Sequence, residues 1–291
     1  MAIPTSAEEA NLNANPMSSS TTSPATPFHP GPGLHPGPDP HTEAGPARPP
    51  RRTAAIIPAA GRGVRLGPGA PKALRTLGGT PMLVHAVRAM ARSRAVSLVV
   101  VVAPPDGAAE VRTLLDDHVP AGTTEVAVVP GGSTRQESVS LGLAALPAGI
   151  TDVLVHDAAR PLVPVETVDA VAAAVRGGAP AVVPALPLAD TVKEVEPRAD
   201  GGPETVLGTP ERVRLRAVQT PQGFDRETLA RAHEKSAPEG EGATDDAGLV
   251  ERLGLPVVVV PGHEEAFKVT RPLDLVLAEA VLARRRATDG Y

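Results

Sequence analysis

From Thr53 onward the sequence predicts an α/β fold, a mostly parallel sheet flanked by helices, and three observations carry that reading. Short apolar runs rich in Val and Ile alternate with longer amphipathic stretches, the rhythm of successive βαβ units. The apolar share is ordinary at 42%, yet only three Phe, one Tyr and no Trp contribute. The interior is therefore packed from Val, Leu, Ala and Ile, as suits parallel strands under Ala-rich helices. Glycine-rich turns directly follow several of the runs, at the place where open α/β sheets hold their ligands.

In chain order, Ala54 to Pro58 is the first candidate strand, and the three- and four-residue spacing of apolar positions predicts a helix over Pro81 to Arg92. Leu98 to Ala103 reads as a Val-rich strand, followed by a helix over Ala108 to Asp117. Strands over Glu125 to Val129 and Asp152 to His156 bracket a helix over Arg135 to Ala145. A helix over Val165 to Arg176 leads to a strand over Ala181 to Ala185. Between Leu186 and Gln219 the alternation stops. The polar stretch there, with Asp200-Gly201-Gly202 in its middle, predicts an extended hairpin arm. Long structureless loops are uncommon inside compact domains, so the arm is expected to pack on a second copy of the chain. Helices over Asp225 to Glu234 and Asp245 to Leu253, a strand over Val257 to Val260 and a helix over Leu273 to Arg285 complete a domain spanning residues 53 to 286.

Residues 1 to 52 are crowded with Pro, Gly, Ser and Thr and offer no periodic apolar face, so a disordered extension is expected. His29, His35 and His41 lie in it, but the prolines and glycines between them give no frame to converge on a metal. The chain has no cysteine, which excludes a disulfide framework, a thiolate metal site and a cysteine nucleophile. A net charge of −5 argues against nucleic acid held by bulk positive charge. No apolar run reaches the roughly 20 residues that span a bilayer, so a soluble, cytoplasmic protein without a membrane partner is expected.

Four motifs carry chemistry. The first, Pro58-Ala59-Ala60-Gly61-Arg62-Gly63-Val64-Arg65-Leu66-Gly67 with Pro71-Lys72, follows the first strand. Its glycines let backbone N–H groups approach phosphate oxygens. It matches neither a dinucleotide fingerprint nor a P-loop. What remains is a glycine turn with fixed cations, which suits a triphosphate, although such a turn can also be merely solvated. The second, Gly131-Gly132-Ser133-Thr134-Arg135-Gln136-Glu137-Ser138-Val139, can present the Gly132 backbone and Ser138 to a pyrimidine, or be an ordinary helix start capped by Ser133. In the third, Val155-His156-Asp157-Ala158-Ala159-Arg160-Pro161, Asp157 can hold a metal or a hydroxyl and Arg160 an anion, or the two can simply pair. The fourth, Phe267-Lys268-Val269-Thr270-Arg271-Pro272, reads as a short strand before a capped helix, with Lys268 reaching the ligand and Arg271 anchoring the helix. His85 and His156 are expected to be packed rather than catalytic.

In this order, and together with DTVK, TPQ and TDD, these motifs closely resemble the methylerythritol phosphate cytidylyltransferases, within the wider nucleotidyltransferase superfamily. The resemblance runs from about Ala54 to Arg285. It implies a Rossmann-like fold and transfer of the cytidylyl group of CTP to methylerythritol 4-phosphate with release of pyrophosphate, requiring Mg²⁺. By the same resemblance Arg65 and Lys72 stabilise the α-phosphate, and Arg212 and Lys268 place the polyol phosphate. Asp157, Arg160, Thr191 and Thr244 line the acceptor site, while the backbone of Ala59, Ala60 and Gly61 holds CTP with Gly132 and Ser138. It further implies a homodimer in which the arm, about Leu186 to Thr220, completes the other subunit's pocket. A cytidylyltransferase for another polyol phosphate, such as ribitol 5-phosphate, shares several of these motifs. A catalytically silent nucleotide-binding protein is the reading from a different class, and the retained Arg65 and Lys72 argue against it.

Overall fold

A computed structural model of the chain describes residues 51–61, 71–120, 122, 124–236 and 245–288. Residues 1–50 of the expected extension lie outside the described residues, while Arg51 reaches Asp152 at 2.8 Å and Arg52 already belongs to the first strand. In chain order the elements are β1 (Arg52–Pro58), β2 (Thr76–Leu77), β3 (Thr80–Pro81), α1 (Met82–Arg92), β4 (Val96–Ala103), α2 (Ala108–His118), β5 (Glu125–Pro130), α3 (Arg135–Ala144), β6 (Ile150–Val155), α4 (Val165–Arg176) and β7 (Ala181–Pro187). There follow β8 (Glu194–Glu196), β9 (Thr205–Gly208), β10 (Arg216–Val218), β11 (Gln222–Asp225), α5 (Arg226–Lys235), α6 (Asp246–Arg252), β12 (Val257–Pro261) and α7 (Pro272–Thr288).

The main sheet runs β5-β4-β1-β6-β11-β7, with β12 on the far side of β7. β4 and β6 pair with β1 in parallel, β5 with β4, and β12 with β7. The alternation of side chains along β1 explains the layering. Ala55 and Ile57 join the core under α1, α2 and α4. Ala54 and Ile56 join the opposite core under α3, α5 and α6. Both faces are covered, which is why β1 and β4 read as continuous apolar runs without polar alternation. Gly142 lets α3 lie close on β1: a Cβ there would stand 2.7 Å from Ile56 Cγ2 and 3.1 Å from Val102 Cγ2.

Two features depart from expectation. β11 is an antiparallel strand inserted between β6 and β7, and β10 pairs antiparallel with the outer half of β7. The two are joined through the cis Thr220–Pro221 bond, so the returning chain lies along β7 in two short pieces. The strand expected at Phe267 does not form. The chain leaves a 3-10 turn at Glu264–Ala266 and reaches α7 with one backbone link to the loop after β6, Val269 N–H to Ala159 O at 2.8 Å.

The excursion after β7 is a hairpin, β8 against β9, that turns through Asp200 and Gly201. Its surface carries exposed Val206 and Leu207, and Val213 beyond it is 77% exposed. α7 seals a third, small core with Leu77, Met82, Leu162 and Val269. Asp274 organises the start of α7 by accepting from the N–H groups of Thr270 and Arg271 and from the Thr270 hydroxyl. Among the described residues no helix is long and apolar enough to cross a membrane.

Candidate active site

A cleft opens at the carboxyl ends of β1, β5 and β6, where the strands stop pairing and their loops diverge. Ala60, Gly61 and Lys72 line it from the loop after β1, Gly132 to Arg135 from the loop after β5, Asp157 to Ala159 from the loop after β6, and Lys268 from the approach to α7. Lys72, Lys268 and Asp157, named from sequence, therefore share one cleft. A Cβ on Gly61 would meet no atom within 4 Å, so that turn leaves open space for a ligand. Ala59 differs from its neighbours, because its N–H donates to Val102 O at 2.8 Å and prolongs the sheet.

The turn after β5 is closed on itself. The Ser138 hydroxyl donates to Thr134 O at 2.9 Å and accepts from the Gly132 N–H at 3.2 Å. Both groups expected to contact a base are thus bonded to each other, and Ser138 is buried. A Cβ on Gly131 would lie 3.0 Å from Ala103 O, Ala60 Cβ and Ser138 Oγ alike, so the first glycine is needed for this close approach. The helix cap is Thr134, which accepts from Glu137 N, and not Ser133, whose N–H and hydroxyl instead donate to the Glu137 carboxylate.

Asp157 is the charge centre. Lys268 Nζ lies 2.7 Å from one of its oxygens and Arg135 Nε 3.5 Å from the other. Burial opposes ionisation of this carboxyl, but Arg135 and Lys268, with Arg160 behind them, outweigh it and hold it well below the ordinary carboxylate range. Arg135 also reaches Asp246 at 2.7 Å, and Asp246 is bonded to His233 at 3.0 Å. No role had been assigned to Arg135, Asp246 or His233 from sequence. Arg135 begins α3 immediately after the glycine turn, at the carboxyl end of the sheet, and that position was the available signal.

Arg160 does not pair with Asp157 across the turn. Its guanidinium donates to Ala266 O at 2.7 Å and Val218 O at 3.2 Å, binding the loop after β6 to the approach to α7 and to the base of the arm. His156 is buried, and burial pushes its ring pKa down to about 4. As a neutral ring it donates through Nε2 to Arg160 O and accepts the Thr220 hydroxyl at Nδ1, while Thr220 Oγ1 accepts from Asp157 N–H at 3.0 Å. Thr220, at the foot of the arm, thereby fixes the backbone of Asp157. Thr191 and Arg212 are exposed on the arm and do not line the cleft of their own chain. Arg65 and Thr244 lie outside the described residues.

A profile of the 2-C-methyl-D-erythritol 4-phosphate cytidylyltransferase family matches residues 53–284. The chain is 77% identical over 241 residues to the Streptomyces avermitilis protein of that name, covering 82% of this chain and 95% of the relative. It is similar to the Thermus thermophilus enzyme of that name in crystal form, with 37% identity and a TM-score of 0.61 over 79% of this chain and 98% of that one. A TM-score of 0.68, with 29% identity, relates it to the 4-diphosphocytidyl-2C-methyl-D-erythritol synthase of Anaerococcus prevotii, over 80% of this chain and 96% of that one.

Proposed function

Because the chain belongs to the 2-C-methyl-D-erythritol 4-phosphate cytidylyltransferase family, we infer that it transfers the cytidylyl group of CTP to 2-C-methyl-D-erythritol 4-phosphate in isoprenoid precursor synthesis. The products are 4-diphosphocytidyl-2-C-methyl-D-erythritol and pyrophosphate. An oxygen of the acceptor phosphate forms a bond to the α-phosphorus of CTP, and the bond from that phosphorus to the β-phosphate oxygen breaks. The attacking phosphate is already ionised at neutral pH, so no strong general base is needed. The task is to bring two anions together and to stabilise the charge of an in-line transition state.

One observation carries the assignment of roles: Lys72, Lys268 and an ionised Asp157 share a cleft whose floor is a glycine turn. Lys72 stabilises the α-phosphate, with Arg65 as its partner. Lys268, oriented by Asp157, places the acceptor phosphate. Ala60 and Gly61 offer backbone to the triphosphate, and Ser138 supports the nucleotide by shaping the Gly131-Gly132 turn. The donor set fits Mg²⁺ carried mainly by the nucleotide, since among the described residues no cluster of three or more His, Asp or Glu could cage a metal. Asp157 is the carboxylate that would hold it, and Mg²⁺ when bound supplies neutralisation of phosphate charge.

The acting unit in this reading is a homodimer. The exposed apolar surface of the arm and the absence of Thr191 and Arg212 from their own cleft both support an arm that reaches a second subunit. A cytoplasmic location goes with a soluble enzyme that draws on CTP. The test is incubation of the purified chain with Mg²⁺ and CTP, adding methylerythritol 4-phosphate or ribitol 5-phosphate in parallel, with pyrophosphate release measured. Release with the first acceptor alone is expected, and release with ribitol 5-phosphate alone would move the enzyme to another substrate.

A further inference from the structure

A second cavity, of about 660 Å³, lies between α1, α7 and the loop that runs from β6 into α4. It shares no residue with the catalytic cleft, and its size is that of a small-molecule site. Its walls carry four arginines, Arg88, Arg92, Arg285 and Arg286, against two carboxylates, Glu166 and Glu265. Glu265 is already committed to Arg284 and Arg285, the latter at 2.7 Å. Arg88, Arg92 and Arg286 therefore share the cavity with Glu166 as the one uncommitted carboxylate on its wall. Among the described residues none of the three forms an ion pair: Arg88 donates to His118 O, and Arg286 reaches Gly78 O at 3.5 Å. This concentration of positive charge stands out in a chain of net charge −5.

Two further observations fit an anion at this place. The first turn of α4 lines the cavity, and its cap residue Pro164 has no side chain to bond the helix. Among the described residues the Val165 and Glu166 N–H groups have no hydrogen-bond partner, at the end of the helix where the dipole favours negative charge. His85, on the same wall, is held below its ordinary value by burial, with the charges of Arg88, Arg286 and Arg92 acting in the same direction.

We propose that this cavity binds a small phosphorylated ligand, with a phosphate or diphosphate group seated among Arg92, Arg286 and the first amide groups of α4, and apolar wall from Leu162 and Leu282 beside it. Guanidinium groups suit phosphate oxygens because they donate in pairs with fixed geometry. The loop after β6 lines the catalytic cleft with Asp157 to Ala159 and the second cavity with Pro161 to Glu166. Occupancy is thereby coupled to the backbone that carries Asp157.

The probe is inorganic pyrophosphate, titrated calorimetrically into the full chain saturated with CTP, with and without Lys268→Ala, so that an event at the acceptor-phosphate place beside Lys268 is told from one in the second cavity. One binding event per chain is expected to persist in the Lys268→Ala chain. In an Arg92→Ala/Arg286→Ala double variant, affinity should fall by about tenfold or more, with CTP affinity unchanged. Both side chains are exposed, so the variant should keep its fold. The single charge reversal Arg92→Glu should weaken pyrophosphate binding without moving the melting temperature. Absence of binding at CTP saturation, or equal binding by the arginine variants and the original chain, overturns the proposal, and neither result bears on the cytidylyl transfer.

Discussion

Replacing Arg135 by Met tests whether the cation between Asp157 and Asp246 holds the base of the cleft together. Asp246 is 1% exposed in its side chain, and its two side-chain partners are Arg135 at 2.7 Å and the His233 ring at 3.0 Å. Breaking a buried ion pair by removing one partner costs about 3–5 kcal/mol, because the other charge stays buried. The Arg135 side chain is 36% exposed, so water replaces part of what is lost and the expected cost falls to about 2 kcal/mol. For a domain of this size that corresponds to a melting temperature lower by about 4–8 °C. The pH dependence carries its own sign. Burial raises the Asp246 carboxyl, but His233 and Arg135 outweigh it, so the folded value lies below the ordinary one. A depressed carboxyl contributes stability that is present above the unfolded value of about 3.9 and is lost as pH falls through the folded value. The gap between the two proteins in urea unfolding should thus be near 2 kcal/mol at pH 7 and close below about pH 4. Adding Asp246→Asn to the variant should recover much of the loss, since the stranded charge is then gone. A gap under about 0.5 kcal/mol at pH 7, or one that does not change with pH, would refute the reasoning.

Three further outcomes are expected. Lys72→Ala should lower kcat by about a hundredfold, the usual loss of one contact to developing charge, while calorimetric CTP affinity changes far less; equal turnover would remove Lys72 from the site. Gly142→Ala gains up to about 1 kcal/mol of helix propensity but forces a methyl into Ile56 and Val102 at a cost of about 1–3 kcal/mol. A net loss in chemical denaturation is expected, and a more stable protein would show that α3 can shift off the sheet. Val213→Asp on the arm should shift light-scattering mass from dimer to monomer and lower turnover together, and an unchanged dimer would place the interface elsewhere.

The layered sheet was legible because most buried strands are apolar runs rich in Val or Ile and most helices keep their apolar spacing, so Val165 to Arg176 was found to the residue and Leu98 to Ala103 within two. β11 was not, because Gln222-Gly223-Phe224-Asp225 has one large apolar side chain and its strand character comes from the β6 and β7 backbones on either side. The place of the cleft was legible from glycine turns that follow strands. The partners inside it were not. Whether Ser138 faces a base or Gly132, and whether Arg160 faces Asp157 or two carbonyls, depends on turn geometry and on contacts with segments about 58 and 106 residues away.

The small core sealed by α7 joins Leu77 and Met82, close behind Lys72 in the chain, to Val269 and Ala278, and Arg286 reaches Gly78 across 208 residues. During synthesis at about 5–20 residues per second, the β2–β3 hairpin waits roughly 10–40 s for the helix that covers its apolar side. Until α7 has left the ribosome the nascent chain carries an unfinished wall close behind Lys72 in the chain. The apolar side of that hairpin is therefore closed only once α7 has been made, and a stall before it leaves Leu77 and Met82 without their cover.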